Sequence, residues 1–212
     1  MRIIKLLPTV ALTAIVHLGF SQDNNDTNIA THPLNVSIPE VALIDVYDNN
    51  TGFEAADINF DLADATASGT NSEAGLYDFQ ALGYTDLWIN YTSVTGAGGS
   101  GFDVTRQIDV QMEAGSTFPE SFDLRITPEA PVVVANGGTA DSAGTVTAGG
   151  VALGVTTAIG TNATLVSSIE SVYTGDEAQG VRLTYELEQN GNFANYEAGT
   201  YAATLRYTLS DL

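Results

Sequence analysis

The sequence predicts an all-β chain folded as an antiparallel β-sandwich. Three observations lead there. Nearly every apolar segment alternates with period two, helical periodicity is almost absent, and clusters of Gly, Asn and Asp punctuate the apolar runs. Period-two alternation sets one face of a strand on a core and the other in water. The punctuating clusters are Asp48-Asn-Asn-Thr-Gly52, Thr95 to Gly101, Asn136-Gly-Gly138, Gly149-Gly150 and Asn190-Gly-Asn192. These residues tolerate the positive φ of tight turns, and many short strands with regular breakers form the pattern of a sandwich.

The first element is a leader. Met1 to Lys5 is a short cationic stretch, Leu6 to Phe20 is apolar but broken by Pro8, and Gly19 and Ser21 are small residues placed for cleavage before Gln22. That is the plan of a secretory signal peptide over residues 1–21, too short and interrupted for a membrane span. A polar, mobile arm is expected over 22–32, then a single β-sandwich domain over 33–212. Leu34, Val36 and Ile38 begin the alternation. Val41 to Tyr47 is more continuously apolar, as expected for a strand buried on both faces. Strands are next expected at Ile58-Phe60-Leu62, at Leu87-Ile89-Tyr91 and over Phe102 to Met112. Further runs are Phe122-Leu124-Ile126, Val181-Leu183-Tyr185-Leu187 and Tyr201 to Leu209. Residues 63–84 read as a long acidic connection, and 131–169 as hairpins of small side chains, where register is weakly specified.

Composition narrows the chemistry. The chain carries 26 acidic and 6 basic residues, a formal net charge of −20. Loss of residues 1–21, which hold Arg2 and Lys5 and no acid, would leave four arginines against 26 acids, a net charge of −22. Such a surface repels nucleic acid and anionic lipid. There is no cysteine, so disulfides, thiolate nucleophiles and zinc-thiolate sites are excluded. Beyond the leader there is no lysine for Schiff-base chemistry, and a triad would have to recruit the only histidine, His32, poorly placed for a positioned base just before Pro33 in a polar stretch. Only a carboxylate-pair hydrolase remains open as an enzyme, and the expectation is a non-catalytic protein.

Several residues invite a functional reading. Asp45, Asp48, Asn50, Glu54 and Asp57 gather oxygen ligands around one turn, a fragment of a calcium loop without its closing bidentate carboxylate. Calcium is accordingly the one cofactor entertained. Arg106 falls on the apolar side of its strand, where it either holds a carboxylate partner or an anionic ligand inside or, as expected here, escapes to solvent at a bulge or strand end. Trp88 could form a sugar-stacking platform, but its strand setting favours the core. Leu34, Val36, Ile38, Val41 and Leu43 form a strand that either pairs within its own domain or completes the sheet of a neighbouring subunit.

Four stretches are similar, in the same order, to a family of small secreted β-proteins from Bacteroidota with no assigned function. They are Ile38 to Asp45, Leu87 to Ser93, Tyr173-Thr-Gly175 with Gly180 to Tyr185, and Tyr207 to Asp211. Where members of that family carry a cysteine before Tyr-Thr-Gly, this chain has Val172, so no role tied to a thiol carries over. Asp141-Ser-Ala143 resembles the short O-glycan acceptor of the same bacteria. The ending Ala198-Gly-Thr-Tyr-Ala-Ala-Thr-Leu-Arg-Tyr207 resembles pilin-like and spore-coat-U-like domains, which assemble by donating strands. That likeness implies an immunoglobulin-like or pilin-like sandwich. The function expected is a secreted structural subunit of a surface filament, fimbria or coat, which associates with itself or with related subunits. The alternative is a monomeric extracellular module that binds a glycan or calcium.

Overall fold

The computed structural model describes residues 29–54, 57–63, 67–73, 76–79, 81–98, 101–154, 159–191 and 196–212, with the backbone alone at 53–54, 67–73 and 76–79. The expected signal peptide and residues 22–28 of the expected arm lie outside the described residues. The chain divides into two units, Met1–Ser37 and Ile38–Leu212. In the first, residues 29–37 are exposed and join no β-ladder.

The second unit is all-β, with antiparallel sheets, one curled into a half-barrel, and no helix among the described residues. Its strands are β1 (Val41–Asp48), β2 (Phe53–Glu54), β3 (Ala67–Glu73), β4 (Leu76–Phe79), β5 (Leu82–Val94), β6 (Arg106–Met112) and β7 (Phe122–Pro128). There follow β8 (Thr145–Val146), β9 (Val151–Gly154), β10 (Ala163–Ile169), β11 (Val172–Tyr173), β12 (Val181–Gln189) and β13 (Leu205–Asp211). One sheet has the order β2-β1-β5-β12-β7-β9, with β11 also paired to β5; a second runs β13-β6-β10-β8; and β3 pairs with β4 alone. The long connection expected over 63–84 thus contains the β3–β4 pair and the start of β5.

In β7 and β12 the alternation read from the sequence is the alternation of burial, whereas in β6 the polar Asp109 and Gln111 are buried along with the apolar residues. Leu87, Ile89 and Tyr91 of β5, Leu124 and Ile126 of β7, and Val181, Leu183 and Tyr185 of β12 share one core with Ile108, Val110 and Met112 of β6 and Leu165, Val166 and Ile169 of β10. Both larger sheets therefore contribute their inner faces to the same apolar cluster. Tyr185 and Tyr207 sit in or against it and pair hydroxyl to hydroxyl, which spares both polar ends an unsatisfied burial.

Three local expectations are corrected. β1 is not buried on both faces: Ile44 and Val46 pack on the core, whereas Leu43 is 63% exposed. β1 lies next to the sheet edge, where it pairs with β2 only at Tyr47 and Asp48. Ile58 and Phe60 pack against the core but form no ladder. The run at 102–112 becomes a strand only at Arg106, and Phe102 and Val104 before it are exposed.

Candidate functional site

The N-terminal segment has two parts. Leu34, Val36 and Ile38 precede the first strand and are 83%, 80% and 76% exposed. Val41 and Leu43 lie in β1, whose ladder with β5 runs from Val41↔Val94 to Asp48↔Leu87. On its other side β1 meets β2 only at Tyr47 and Asp48. Over Val41–Val46 that edge carries no further strand of its sheet among the described residues. An unpaired run of backbone donors and acceptors is a template for another strand.

Arg106 lies at the end of the core, by the start of β1. It is 3% exposed and does not reach solvent through a bulge, contrary to the expectation. The register irregularity lies instead in the facing strand β10, between Val166 and Ile169, where Ser168 adopts φ 56°. Arg106 Nε donates to Asp211 Oδ1 at 2.6 Å, and Nη1 donates to the carbonyls of Val41 at 2.6 Å and Val94 at 3.0 Å. Nη1 also donates to Ser93 Oγ, and Nη2 lies 3.8 Å from Glu40 Oε1. One guanidinium therefore ties together the start of β1, the end of β5 and the end of β13. A rigid fork of donors suits that task, because acceptors from three elements converge on one plane.

The residues expected to bind calcium do not share one arrangement. Asp48 is 1% exposed and faces inward, where Oδ1 accepts from the Asn50 N–H and the Tyr84 hydroxyl, each at 2.9 Å. Burial pushes its carboxyl up, but the Asn50 N–H, the Tyr84 hydroxyl and Thr51 together hold it below the ordinary value. The same environment moves the Tyr84 hydroxyl up to about 12, chiefly through burial and then through the Asp48 carboxylate. Asp48 thus caps a turn. Asp45 and Asn50 are exposed, Asp57 is exposed in the following loop, and the side chain of Glu54 lies outside the description. Among the described residues, no three histidine or acidic side chains gather closely enough to hold a metal.

Asp45 belongs to a different neighbourhood. It sits on the outer face of β1 opposite Asn90, flanked there by the register pairs Leu43↔Thr92 and Tyr47↔Trp88. Trp88 is half-buried and takes no part in the core, in contrast to its expected place, because Leu87 and Ile89 take the inward positions on either side. Arg182 of β12 lies opposite Trp88 on its other side, donates from Nε to the Thr85 carbonyl at 2.8 Å, and is within 3.6 Å of Glu129. A cleft of about 220 Å³ opens on this face, lined among others by Leu43, Asp45, Asn90, Thr92, Tyr173 and Asp176.

Sequence reading did not single out Asn90 or Asp176. The only signal was the alternation itself, which puts Asn90 on the same face as Trp88 and opposite the core. In the expected O-glycan acceptor, Asp141 is exposed, Ser142 is half-buried with Oγ paired to Thr139 Oγ1, and Ala143 is fully buried. No family model, no curated protein and no solved structure matches the chain. Among the described residues, no helix is long and apolar enough to cross a membrane.

Proposed function

We propose that the chain is a secreted, non-catalytic structural subunit of a cell-surface filament, fimbria or coat. In this reading the two larger sheets form an immunoglobulin-like or pilin-like sandwich, and assembly proceeds by β-strand pairing through the N-terminal segment. The observation that carries it is the exposure of Leu34, Val36 and Ile38 on the segment leading into β1. An alternating apolar strand in water is costly to keep unpaired; seated in a neighbour's groove it would gain a ladder of main-chain hydrogen bonds and pockets for alternate side chains. The edge of β1 over Val41–Val46, which pairs with no further strand of its sheet among the described residues, supports the same reading.

Deletion of residues 22–40 tests it. The variant is expected to remain a folded monomer, to form no polymers, and to bind a synthetic peptide of the deleted segment. Polymers that persist without the segment would contradict the proposal.

A second reading, a monomeric extracellular binding module for a glycan or calcium, draws support from Trp88. Trp88 is half-buried, takes no part in the core, and stands in register between Tyr47 and Arg182 on the outer face of the sheet, a setting suited to stacking on sugar C–H groups. Material that is monomeric with the segment intact would favour this module.

A further inference from the structure

The segment that leads into β1 and the unpaired edge of β1 have matching length and parity. Pro33 and Pro39 bound the run Leu34-Asn-Val-Ser-Ile38, which carries no charge in a chain of net charge −20. Proline has no N–H to give a ladder, so a strand formed here runs from Leu34 to Ile38. In β1, Ile44 and Val46 pack on the core and Ala42 shares their parity, whereas Leu43 and Asp45 have the outer parity. β2 pairs with β1 only at Tyr47 and Asp48. Ala42 to Val46 therefore has no strand partner on that side among the described residues. Ile58 and Phe60, which follow β2, reach the core without joining a ladder. Three apolar side chains at every second residue thus match three inward positions at the same spacing.

The run does not serve its own edge. Residues 29–37 join no ladder. A two-residue hairpin at Pro39-Glu40 requires a positive φ at its first residue, and proline is fixed at about −65°. It would also set Leu34, Val36 and Ile38 opposite Asp45, Leu43 and Val41, all of outer parity. A three-residue loop restores the parity but requires left-handed backbone at the β-branched Val41, which instead pairs with Val94. A second copy has no such turn to make.

On a second copy, two orientations keep the apolar residues inward. In the antiparallel one, Leu34 faces Val46, Val36 faces Ile44 and Ile38 faces Ala42, so Glu40 stands opposite the same residue of the other copy. Like charges directly opposite are destabilising, and this two-fold arrangement closes a pair and ends growth. In the parallel one, Leu34 lies beside Ala42, Val36 beside Ile44 and Ile38 beside Val46. Pro39 then ends the ladder beside Tyr47, where β2 begins. Each copy gives its segment to one neighbour and its edge to another, a heterologous contact that extends.

We propose that Leu34 to Ile38 of one copy adds in parallel to the unpaired edge of β1 in the next, in the register Leu34–Ala42, Val36–Ile44, Ile38–Val46. The inference rests on the strand-pairing reading above and adds its acceptor, orientation and register.

The chain has no cysteine, so introduced pairs report the register without background. Full chains of two sizes, one Asn35→Cys and the other Leu43→Cys, are mixed at physiological salt under mild oxidation. A second mixture replaces Asn35→Cys with Ser37→Cys. All three positions are exposed, so the variants are expected to fold. In the parallel register Asn35 lies opposite Leu43, whereas Ser37 is displaced by two residues, about 7–8 Å away and beyond ordinary disulfide reach. The Asn35→Cys mixture is therefore expected to form the mixed disulfide about tenfold faster or more. Adding Val36→Asn to the Asn35→Cys copy should abolish that advantage, which separates docking from chance collision. Faster cross-linking through Ser37→Cys would mean the closed antiparallel pair and overturn the proposal, with strand pairing itself left standing. Polymers with neither cross-link would also overturn it, since the segment would then occupy another edge. No cross-link and no polymer would overturn the strand-pairing reading and the proposal with it.

Discussion

A guanidinium cannot lose its proton at any ordinary pH, so a buried arginine must have acceptors on every side it faces. Arg106 finds them in Asp211, Ser93 and the carbonyls of Val41 and Val94. Its removal would leave those carbonyls without a donor and Asp211 unpaired. Arg106→Leu is therefore expected to destabilise the fold by about 3–5 kcal/mol, and Asp211→Asn, at a side chain that is itself 54% exposed, by about 1 kcal/mol. Denaturant titration reads both. Equal small effects would show that the clamp does not hold the strands. Asp48 makes a pH-dependent counterpart. Its folded carboxyl lies below the ordinary 3.8, so its contribution is fully present above that value and is lost as pH falls through the lowered one. Asp48→Asn should cost about 1–2 kcal/mol at neutral pH, and variant and parent should converge in stability at acid pH below that range. A constant gap across pH would contradict the assignment.

At the level of elements, β5 organises the larger sheet: it pairs with β1 along one side and with β12 and β11 along the other. The turn into β12 depends on Gly180, with φ +73° and with the Ile89 carbonyl oxygen 2.1 Å from where a Cβ would stand. Gly180→Ala is expected to cost more than 2 kcal/mol, roughly, through that clash and the left-handed backbone, whereas Gly52→Ala, equally left-handed but in open space, should cost about 1 kcal/mol. Thermal denaturation of the two variants compares them, and equal losses would contradict the close approach. The strands themselves were legible wherever alternation was sustained, as over Val181 to Leu187, because burial follows parity. Ladder formation was not: Ile58 and Phe60 have the parity and reach the core without a partner strand. Arg106 was misread for a related reason. Parity placed it inward, but the acceptors that make an inward arginine tolerable come from residues as distant as Val41 and Asp211. The cleft was still less visible, since Asp45, Asn90 and Asp176 meet only through register and a loop.

For the whole molecule the dominant fact is a net charge of −20. Long-range repulsion opposes association of such chains, so contacts between copies would have to be short-range: main-chain ladders and apolar side chains, as the segment at Leu34, Val36 and Ile38 offers. Salt at physiological strength confines the repulsion to about 8 Å, and assembly should be easier there than in dilute buffer. The measurement that tests the central claim most directly is an unheated SDS gel of material sheared from the native cells, probed for this chain. Strand-paired subunits predict a ladder of bands that collapses to one band on boiling. A single monomer band before heating would contradict the account.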